Sequence, residues 1–298
     1  MPELPEVETV VRDLRPRAIG RTITAVRVGA KQLRTPWDAA WGPGVVGRRV
    51  EALRRRGKWI VVEFDTPRLV VHLGMTGQFT AVAAGVPEPD HLHLVFALDD
   101  GCELRFRDVR RFGSVARFAD DAAVEAFFAE AGLGPEPFGL DPAAFRAAVR
   151  GSARTLKAIL LDQTVVAGVG NIYADEACAR AGLHPARVGN SLTPAECDRL
   201  RTAIEGVLTT AIEARGSTIR DYVGGSGLAG GFQLAHLVYG RTGERCRTCG
   251  RAIERIVLTG RSSHFCPNCQ PTRGGGTGGR SDSGTKAKKP VRPRPKPS

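Results

Sequence analysis

The chain opens with an amphipathic pattern and continues with short apolar runs. Val7, Val10 and Leu14 recur at helical spacing and Gly20 lies just beyond them, which predicts one helix at the start. Five runs rich in β-branched and aromatic residues follow, and a turn at 99–101 joins the last two as a hairpin. The predicted strands are Thr22–Val28, Trp59–Phe64, Leu69–Leu73, Leu92–Leu98 and Glu103–Arg107. Their regular spacing predicts a β-sandwich or a barrel.

Helical periodicity replaces this pattern in the second part of the chain. A Gly- and Pro-rich stretch at Gly132–Gly139 is predicted as the domain boundary. The best-marked helix begins after Thr193, because Thr193 and Glu196 match a capping box and Pro194 takes the first helical position. The other predicted helices are Asp121–Ala131, Asp141–Val149, Thr155–Asp162 and Ile172–Ala181. Strands followed by helices predict an α+β chain.

Three segments follow these helices. Residues Gly224–Gly231, with the sequence GGSGLAGG, are predicted to be a flexible loop, and a cysteine module spans Arg245–Gln270. The remainder has almost no apolar surface to bury, and we therefore expect it to be disordered.

Composition and charge limit the class of protein. No apolar run among the 298 residues approaches the length of about 20 needed to cross a bilayer, and the start lacks the pattern of a secretory signal. Neither a membrane-spanning nor an exported protein is expected. The net charge is +12, and residues 270–298 carry eight basic residues against Asp282 alone, which leaves +5 for the body. Such a balance is typical of proteins that bind nucleic acid, although a solvated face with a solubilising tail has the same composition.

The seven cysteines divide into a patterned four and three isolated residues. The four follow the spacing C-x2-C-x16-C-x2-C and are Cys246, Cys249, Cys266 and Cys269. Four thiolates complete the tetrahedron of one Zn²⁺ with no open position, so the spacing predicts a structural zinc site, with a hairpin at Arg251–Gly260. Two unrelated redox pairs are the alternative. Cys102, Cys178 and Cys197 are predicted to be small core residues.

A proline at position 2 has unusual chemistry once Met1 is removed. The chain then begins with a secondary amine, and an α-amino group titrates near pH 8, far below lysine. A good fraction is unprotonated at neutral pH and can attack an electrophilic carbon to form an iminium. Glu3, Glu6 and Glu8 offer general acids nearby. Taken alone, however, the segment is better explained as a simple helix entry.

Three longer motifs resemble the bacterial formamidopyrimidine-DNA glycosylases. MPELPEVE at 1–8 is similar to the amino terminus of that family, and GRSSHFCPNCQ at 260–270 is similar to the end of its zinc finger. LLDQTVVAGVGNIYADEACARAGLHP at 160–185 resembles its helix-two-turn-helix element. The resemblance covers about residues 1–270 and leaves the tail outside.

The resemblance implies an α+β fold: an amino-terminal helix with a β-sandwich, a helical carboxyl-terminal domain with the helix-two-turn-helix, and a zinc-bound β-hairpin. The implied division is a catalytic sandwich domain at 1–131, a linker and connecting helix at 132–150, the helix-two-turn-helix domain at 151–240, the zinc hairpin at 241–270 and a disordered basic tail at 271–298.

The same resemblance implies an activity. The family removes oxidised purines, such as 8-oxoguanine and formamidopyrimidines, from duplex DNA and then cuts the strand by β- and δ-elimination. Pro2 would attack C1′ and form the Schiff base, and Glu3 would act as proton donor. Lys58 matches the proton donor of β-elimination, whereas without the resemblance it would be a phosphate contact or a surface lysine. Arg261 matches the arginine of δ-elimination and would also clamp phosphate, because arginine does not deprotonate easily.

DNA-binding positions are implied in two groups. The residues that match DNA contacts are His91, Arg110, Arg154 and Asn171. The residues that match the family's void-filling trio, which occupies the stack when the damaged base is extruded, are Met75, Arg110 and Phe112. By sequence alone Met75 and Phe112 would be core residues, and Asn171 an ordinary helix cap. The loop Gly216–Gln233 corresponds to the family's lesion-covering loop.

We therefore expect a monomeric base-excision repair enzyme, a bifunctional DNA glycosylase and AP lyase, with one structural Zn²⁺ and damaged double-stranded DNA as its partner. We expect it in the bacterial cytoplasm, associated with the nucleoid and not with a membrane. Two alternatives stay open. One is an endonuclease VIII-like glycosylase for oxidised pyrimidines, whose start typically reads PEGPE rather than PELPE. The other is a catalytically inactive zinc-finger DNA-binding protein, which would leave the amino-terminal residues without a role.

Overall fold

The structure is a computed structural model that describes residues 1–33, 42–83, 85–218 and 222–272. Apart from its first two residues, the predicted basic tail at 271–298 lies outside the described residues. None of the helices in these ranges combines the length and the apolar character that a membrane span requires.

The described residues form six α-helices and ten β-strands. The helices are α1 (Leu4–Ala18), α2 (Asp121–Glu130), α3 (Pro142–Arg150), α4 (Leu156–Leu161), α5 (Asn171–Ala181) and α6 (Pro194–Glu213). The strands are β1 (Ile23–Val28), β2 (Val50–Arg56), β3 (Trp59–Phe64), β4 (Arg68–His72), β5 (Gly77–Ala83), β6 (Leu92–Leu98), β7 (Cys102–Asp108), β8 (Ser114–Phe118), β9 (Glu254–Leu258) and β10 (Arg261–Phe265). The α+β class predicted from the sequence is confirmed.

Eight of these strands form two antiparallel sheets, ordered β1-β6-β7-β5 and β2-β3-β4-β8. Both sheets share one apolar core with α1, whose Val7, Val10 and Leu14 are completely buried there. Helical spacing puts these three side chains on one face, and that face covers the core. Two separate sheets around a common core are a sandwich, the first of the two architectures that the strand spacing predicts.

Three sandwich strands, β2, β5 and β8, have no counterpart among the predicted runs. The end of β2 is the arginine run 54–56, which is typical of exposed loops. In the fold these arginines have carboxylate partners: Arg54 Nε lies 2.6 Å from Glu63 Oε1, and Arg55 Nη1 lies 2.6 Å from Glu136 Oε2. A strand stabilised by distant ion pairs carries no local hydrophobic alternation.

A second apolar core lies among α3, α4, α5 and α6. The predicted capping box of α6 is present: Glu196 N donates to Thr193 Oγ1 at 3.2 Å, and Thr193 N donates to Glu196 Oε2 at 2.8 Å. Gly182 ends α5 with a φ of 64°, a left-handed conformation that glycine adopts without strain. The division into domains at the predicted boundaries stays a prediction.

The first turn of α1 joins the two cores. Leu4 belongs to α1, but its side chain is completely buried in the helical core. The Leu4 amide donates to Gly168 O at 3.0 Å, and a side chain on Gly168 would lie 2.5 Å from Leu4. The start of the chain is therefore fixed against the segment that leads into α5.

The cysteine module forms the hairpin β9–β10, with the turn at Thr259–Gly260. It is attached to α5 by Asp175, which is completely buried. Asp175 Oδ2 accepts from His264 N at 2.9 Å, and Asp175 Oδ1 lies 2.6 Å from Lys157 Nζ. Because both ions of this pair are fully buried, losing either one would leave an uncompensated charge in the interior.

The glycine-rich loop at 224–231 has specific anchors at its start. Gly225 O accepts from Ala81 N at 2.9 Å, and Ser226 Oγ donates to Asp13 Oδ2 at 2.9 Å. A side chain on Gly225 would lie 2.8 Å from Val10 O, so the absence of a side chain permits this close approach to α1. The glycines that predict a flexible loop therefore also allow this loop to pack closely against α1.

Candidate active site

The amino-terminal residues are held where α1 meets α5. Pro2 is buried, whereas Met1 is 50% exposed. The amide of Glu3 donates to Glu6 Oε2 at 2.8 Å, which completes the first turn of α1. Met1 is thereby accessible to processing, while the residue behind it is fixed at the wall of a cavity.

The Glu3 carboxylate lies at the amino end of α5. It accepts hydrogen bonds from Ile172 N at 2.9 Å and from Tyr173 N at 3.4 Å, two backbone groups that have no partner within the helix. The helix dipole favours an anion at this position. A side chain on Gly170 would lie 2.4 Å from the Glu3 carboxyl carbon, so the glycine is what admits the carboxylate.

Glu6 is a second buried carboxyl in the same wall. Its Oε1 accepts from Tyr173 Oη at 2.5 Å and from Ser217 N at 2.7 Å. Burial, with a smaller contribution from the charge of Glu3, raises the pKa of Glu6 to about 7. Glu6 therefore exchanges a proton near neutral pH beside the fixed Glu3.

Lys58 approaches the amino terminus from the sandwich. It is 7% exposed, and its ammonium donates to Val169 O at 2.9 Å. Burial lowers the pKa of Lys58, the Glu3 carboxylate opposes that shift, and the charge of Arg261 adds to it. A lysine in these surroundings releases a proton more easily than one at the surface.

A cavity of about 430 Å³ brings most of the predicted site residues together. The predicted residues among its lining are Pro2, Glu3, Met75, Arg110, Asn171 and Arg261. The lining also includes residues that are not among the predicted catalytic and DNA-binding residues, namely Glu6, Thr76, Ile172, Ser217, Tyr222 and Tyr239. Sequence signals exist for three of them. Glu6 lies three residues after Glu3 as in a capping box, and Ser217 and Tyr222 lie in the predicted lesion-covering loop; Thr76, Ile172 and Tyr239 carry none.

Four predicted site residues do not line this cavity. Lys58 is buried against Val169 O and interacts with the charges of two lining residues, Glu3 and Arg261. Phe112 lies under the lining residue Arg110, whose guanidinium carbon is 4.7 Å from the ring centroid. His91 is exposed with a φ of 64°, in the turn before β6. Arg154 is exposed and its Nη1 lies 2.6 Å from Asp162 Oδ2. The structure thus places Arg154 in an ion pair with Asp162 and not among the residues that line the cavity.

Met75 and Phe112 lie at the surface, not in the core that sequence alone favours for them. Each is 41% exposed. Met75 lies in the turn between β4 and β5, and Phe112 in the loop between β7 and β8. Exposed large apolar side chains beside a polar cavity are typical of a binding surface.

Asn171 is the first residue of α5 and faces the cavity. Its Nδ2 donates to Tyr239 Oη at 3.4 Å, and its main-chain carbonyl accepts from Lys157 Nζ at 2.7 Å. Within the described residues its Oδ1 is buried and has no hydrogen-bond partner. A buried polar atom without a partner is uncommon and indicates a place for a ligand group.

The four cysteines of the hairpin module meet as predicted. Their Sγ atoms all lie within 4.8 Å of one another. Cys246 Sγ and Cys269 Sγ are 3.9 Å apart, and Cys249 Sγ and Cys266 Sγ are 3.4 Å apart. A tetrahedral metal with sulfur bonds of about 2.3 Å requires sulfur separations of about 3.8 Å. The geometry therefore fits one metal ion held by four thiolates.

Family comparisons match this architecture over nearly the whole described chain. Residues 1–115 match the "Formamidopyrimidine-DNA glycosylase N-terminal domain", and residues 133–223 match the "Formamidopyrimidine-DNA glycosylase H2TH domain". Residues 243–272 match the "Zinc finger found in FPG and IleRS". Together, the fold and the site define a DNA-repair glycosylase with a zinc finger.

Curated relatives specify the family. The formamidopyrimidine-DNA glycosylase of Geobacillus kaustophilus is 44% identical over 275 residues, which are 91% of this chain and 100% of that protein. The enzyme of the same name from Herpetosiphon aurantiacus is 46% identical over 277 residues, with the same two coverages. The chain belongs to the formamidopyrimidine-DNA glycosylase family, and the resemblance noted in its sequence is confirmed.

Solved structures agree in fold. A mutant of the Lactococcus lactis FPG in complex with Fapy-dG containing DNA has a TM-score of 0.85 at 36% identity, over 91% of this chain and 100% of that chain. MutM in complex with carbocyclic 8-oxo-G containing DNA has a TM-score of 0.83 at 36% identity, with the same coverages. The helix-two-turn-helix and zinc-finger parts of the predicted fold are confirmed by the family matches to residues 133–223 and 243–272, and the solved structures agree with the whole fold.

Proposed function

We propose that this chain is a bifunctional DNA glycosylase and AP lyase that excises oxidised purines, 8-oxoguanine and formamidopyrimidines, from duplex DNA. The observation that carries the proposal is the pairing of Pro2 with Glu3 in one cavity, with the Glu3 carboxylate held at the amino end of α5. The relatives whose structures contain damaged DNA support the substrate class.

The covalent step begins after removal of Met1. The free Pro2 nitrogen attacks C1′ of the damaged nucleotide, a nitrogen–carbon bond forms, and the bond from C1′ to the base breaks. The proton that the attached nitrogen loses passes to the departing base. Glu3 protonates O4′, so the sugar ring opens and the nitrogen becomes part of an iminium. Its fixed position at 2.9 Å from Ile172 N keeps the carboxyl beside the reacting sugar.

Strand cleavage follows from the iminium. Loss of a C2′ proton expels the 3′ phosphate, and a second elimination expels the 5′ phosphate. Lys58 serves proton transfer in the first elimination, for which its lowered pKa is suited. Arg261, exposed on the zinc hairpin and lining the cavity, holds phosphate during the second.

The DNA contacts divide by chemistry. Asn171 at the start of α5 and Arg110 at the cavity bind the backbone around the lesion. Met75, Arg110 and Phe112 fill the space that the extruded base leaves, since an apolar wedge between base steps opens and kinks a duplex. His91 and Arg154 lie outside the cavity, and we assign them to flanking phosphates.

The cysteine quartet holds one structural Zn²⁺. Four thiolate ligands favour zinc and complete its tetrahedron, so the ion binds no substrate and supports the hairpin that carries Arg261. We further propose a monomer in the bacterial cytoplasm, associated with the nucleoid and with damaged double-stranded DNA as its partner.

Borohydride trapping tests this function. Wild-type protein should cross-link to an 8-oxoguanine duplex on reduction, and mass spectrometry should find the adduct on Pro2 with Met1 absent. Strong cleavage of thymine glycol with little cleavage of 8-oxoguanine would favour the endonuclease VIII-like alternative. DNA binding without any cross-link would favour the non-catalytic alternative.

A further inference from the structure

Two surface loops that carry the void-filling residues contact each other through their backbones. We call them the wedge loops: residues 73–76, which include Met75, and residues 109–113, which include Phe112. Gly74 has a φ of 61°, and a side chain on it would lie 2.5 Å from Gly113 N. No residue larger than glycine fits this contact, so the two loops are packed as closely as their main chains allow.

A single buried carboxylate lies beneath the two loops. Asp108 ends β7 and its side chain is completely buried. Its Oδ1 accepts from Thr76 Oγ1 at 2.5 Å, in the first loop. Its Oδ2 accepts from Gly113 N at 2.7 Å, at the end of the second loop. One carboxylate thus bonds to both loops.

The second loop is also bound at its beginning. The amide of Arg110 donates to Asp108 Oδ1 at 3.2 Å and to Thr76 Oγ1 at 3.0 Å. The Thr76 hydroxyl therefore accepts from one loop while it donates to the shared carboxylate. The main chain of Asp108 is fixed as well: its amide donates to His91 O at 3.0 Å, and its carbonyl lies 2.9 Å from His93 Nε2.

We propose that Asp108 is a positioning residue that makes the two wedge loops one rigid unit, so that Met75, Arg110 and Phe112 enter the duplex together. The inference rests on the proposed function, because it assumes that these side chains enter DNA. A wedge that is already ordered loses little conformational freedom when it replaces a base in the stack. Burying a charge is costly unless it is well bonded, and the donors from both loops compensate that cost.

The chemistry of this group makes a sharp test. Asn has nearly the same shape as Asp, but one of its two terminal atoms is a donor. In D108N that amide nitrogen must face either Gly113 N or the pair formed by Thr76 Oγ1 and Arg110 N. In the first orientation Gly113 N loses its acceptor. In the second the Thr76 hydroxyl loses the acceptor of its proton, Arg110 N keeps only Thr76 Oγ1, and Gly113 N bonds to a neutral oxygen instead of a charged one. The link between the loops is therefore weakened in both orientations while the volume is kept.

The experiment compares D108N with the wild type on two duplexes that carry the same 8-oxoguanine. In one the lesion is fully paired, and in the other it lies in a short mismatched bubble whose stack is already open. On the paired duplex we expect single-turnover excision to fall about tenfold or more, as expected for the loss of a hydrogen bond to a charged group. A neighbouring 2-aminopurine should report a similarly slower opening of the stack. On the bubble the loss should be about threefold or less, because little unstacking is required.

Asp99→Asn is the matched control, a carboxylate-to-amide change in the turn after β6, where Asp99 Oδ2 accepts from Thr22 N at 3.1 Å. It should leave both rates at the wild-type level. Equal losses of D108N on the two duplexes, or an unchanged rate on the paired one, would overturn the inference. If D108N does not fold, T76V is measured instead, since it removes the hydroxyl between Asp108 and Arg110. Its loss of excision rate on the paired duplex is again compared with its loss on the bubble. Inactivity of the wild type on both duplexes would instead refute the proposed function.

Discussion

Gly170 controls where the proposed acid lies, and Gly170→Ala should disable it with little damage to the fold. The new methyl group would lie 2.4 Å from the carboxyl carbon of Glu3 and 2.6 Å from its Oε1. Gly170 has a negative φ of −133°, so its backbone is not in the left-handed region that excludes alanine. The atoms in conflict belong to the end of a flexible side chain, so Glu3 moves while the backbone stays.

The magnitude follows from the bonds that Glu3 loses. Its bond from Ile172 N is 2.9 Å long and its bond from Tyr173 N is 3.4 Å, so the first is the strong one. One hydrogen bond to a charged group contributes about 1.5–3 kcal/mol, or about ten- to a hundredfold in rate. We expect single-turnover excision of 8-oxoguanine to fall by that factor.

The assay pairs this rate with a measurement of unfolding. Gly206→Ala is the matched control: Gly206 lies within α6, and its new methyl would be 3.6 Å from Arg180 Nη1, an ordinary contact. It should keep the wild-type rate and gain about 0.5–1 kcal/mol of stability. If Gly170→Ala excised at the wild-type rate, or lost activity only as far as it lost folded protein, the role of the α5 amino end would be wrong.

Three further predictions concern Glu6, the metal site and the tail. The pKa of Glu6 is about 7 in the fold against an ordinary 4.5, so the folded state binds the extra proton. As the pH rises from about 4.5 to 7, the free energy of unfolding of the wild type should therefore fall by about 3 kcal/mol relative to that of Glu6→Gln, measured by urea unfolding. Cys249→Ala should lose the bound zinc, measured by metal analysis, and with it the binding of damaged DNA. Truncation after Gln270 should leave lesion cleavage intact and weaken binding mostly at low salt, because it removes eight positive charges that attract the phosphates of DNA.

Each of these predictions has a clear contrary result. Parallel stability curves for the wild type and Glu6→Gln would show that this carboxyl does not gain a proton on folding. Retention of both zinc and DNA binding by Cys249→Ala would contradict the hairpin site. A loss of catalysis on truncation that does not depend on salt would make the tail part of the active enzyme.

Several parts of the site could be predicted because their signals are local. A C-x2-C pair supplies two thiolates from one turn, so Cys246 and Cys249 identify half of the metal site by spacing alone. Pro2 and Glu3 are adjacent in the chain, and their chemistry depends on residue type. Strand β2 could not be predicted from local signals, because it carries arginines whose partners lie far away in the sequence, as Glu136 does from Arg55.

By itself, the sequence determined the residue types that do the chemistry, the helix caps, the metal-binding spacing and the family to which the chain belongs. Only the tertiary structure decided how the carboxylate of Glu3 meets the amino end of α5, about 170 residues away. It also decided that Glu6 holds a proton near neutral pH, and that Met75 and Phe112 are exposed. The physical reason is that burial and hydrogen bonding depend on which distant segments pack together, and no short window of sequence contains both partners.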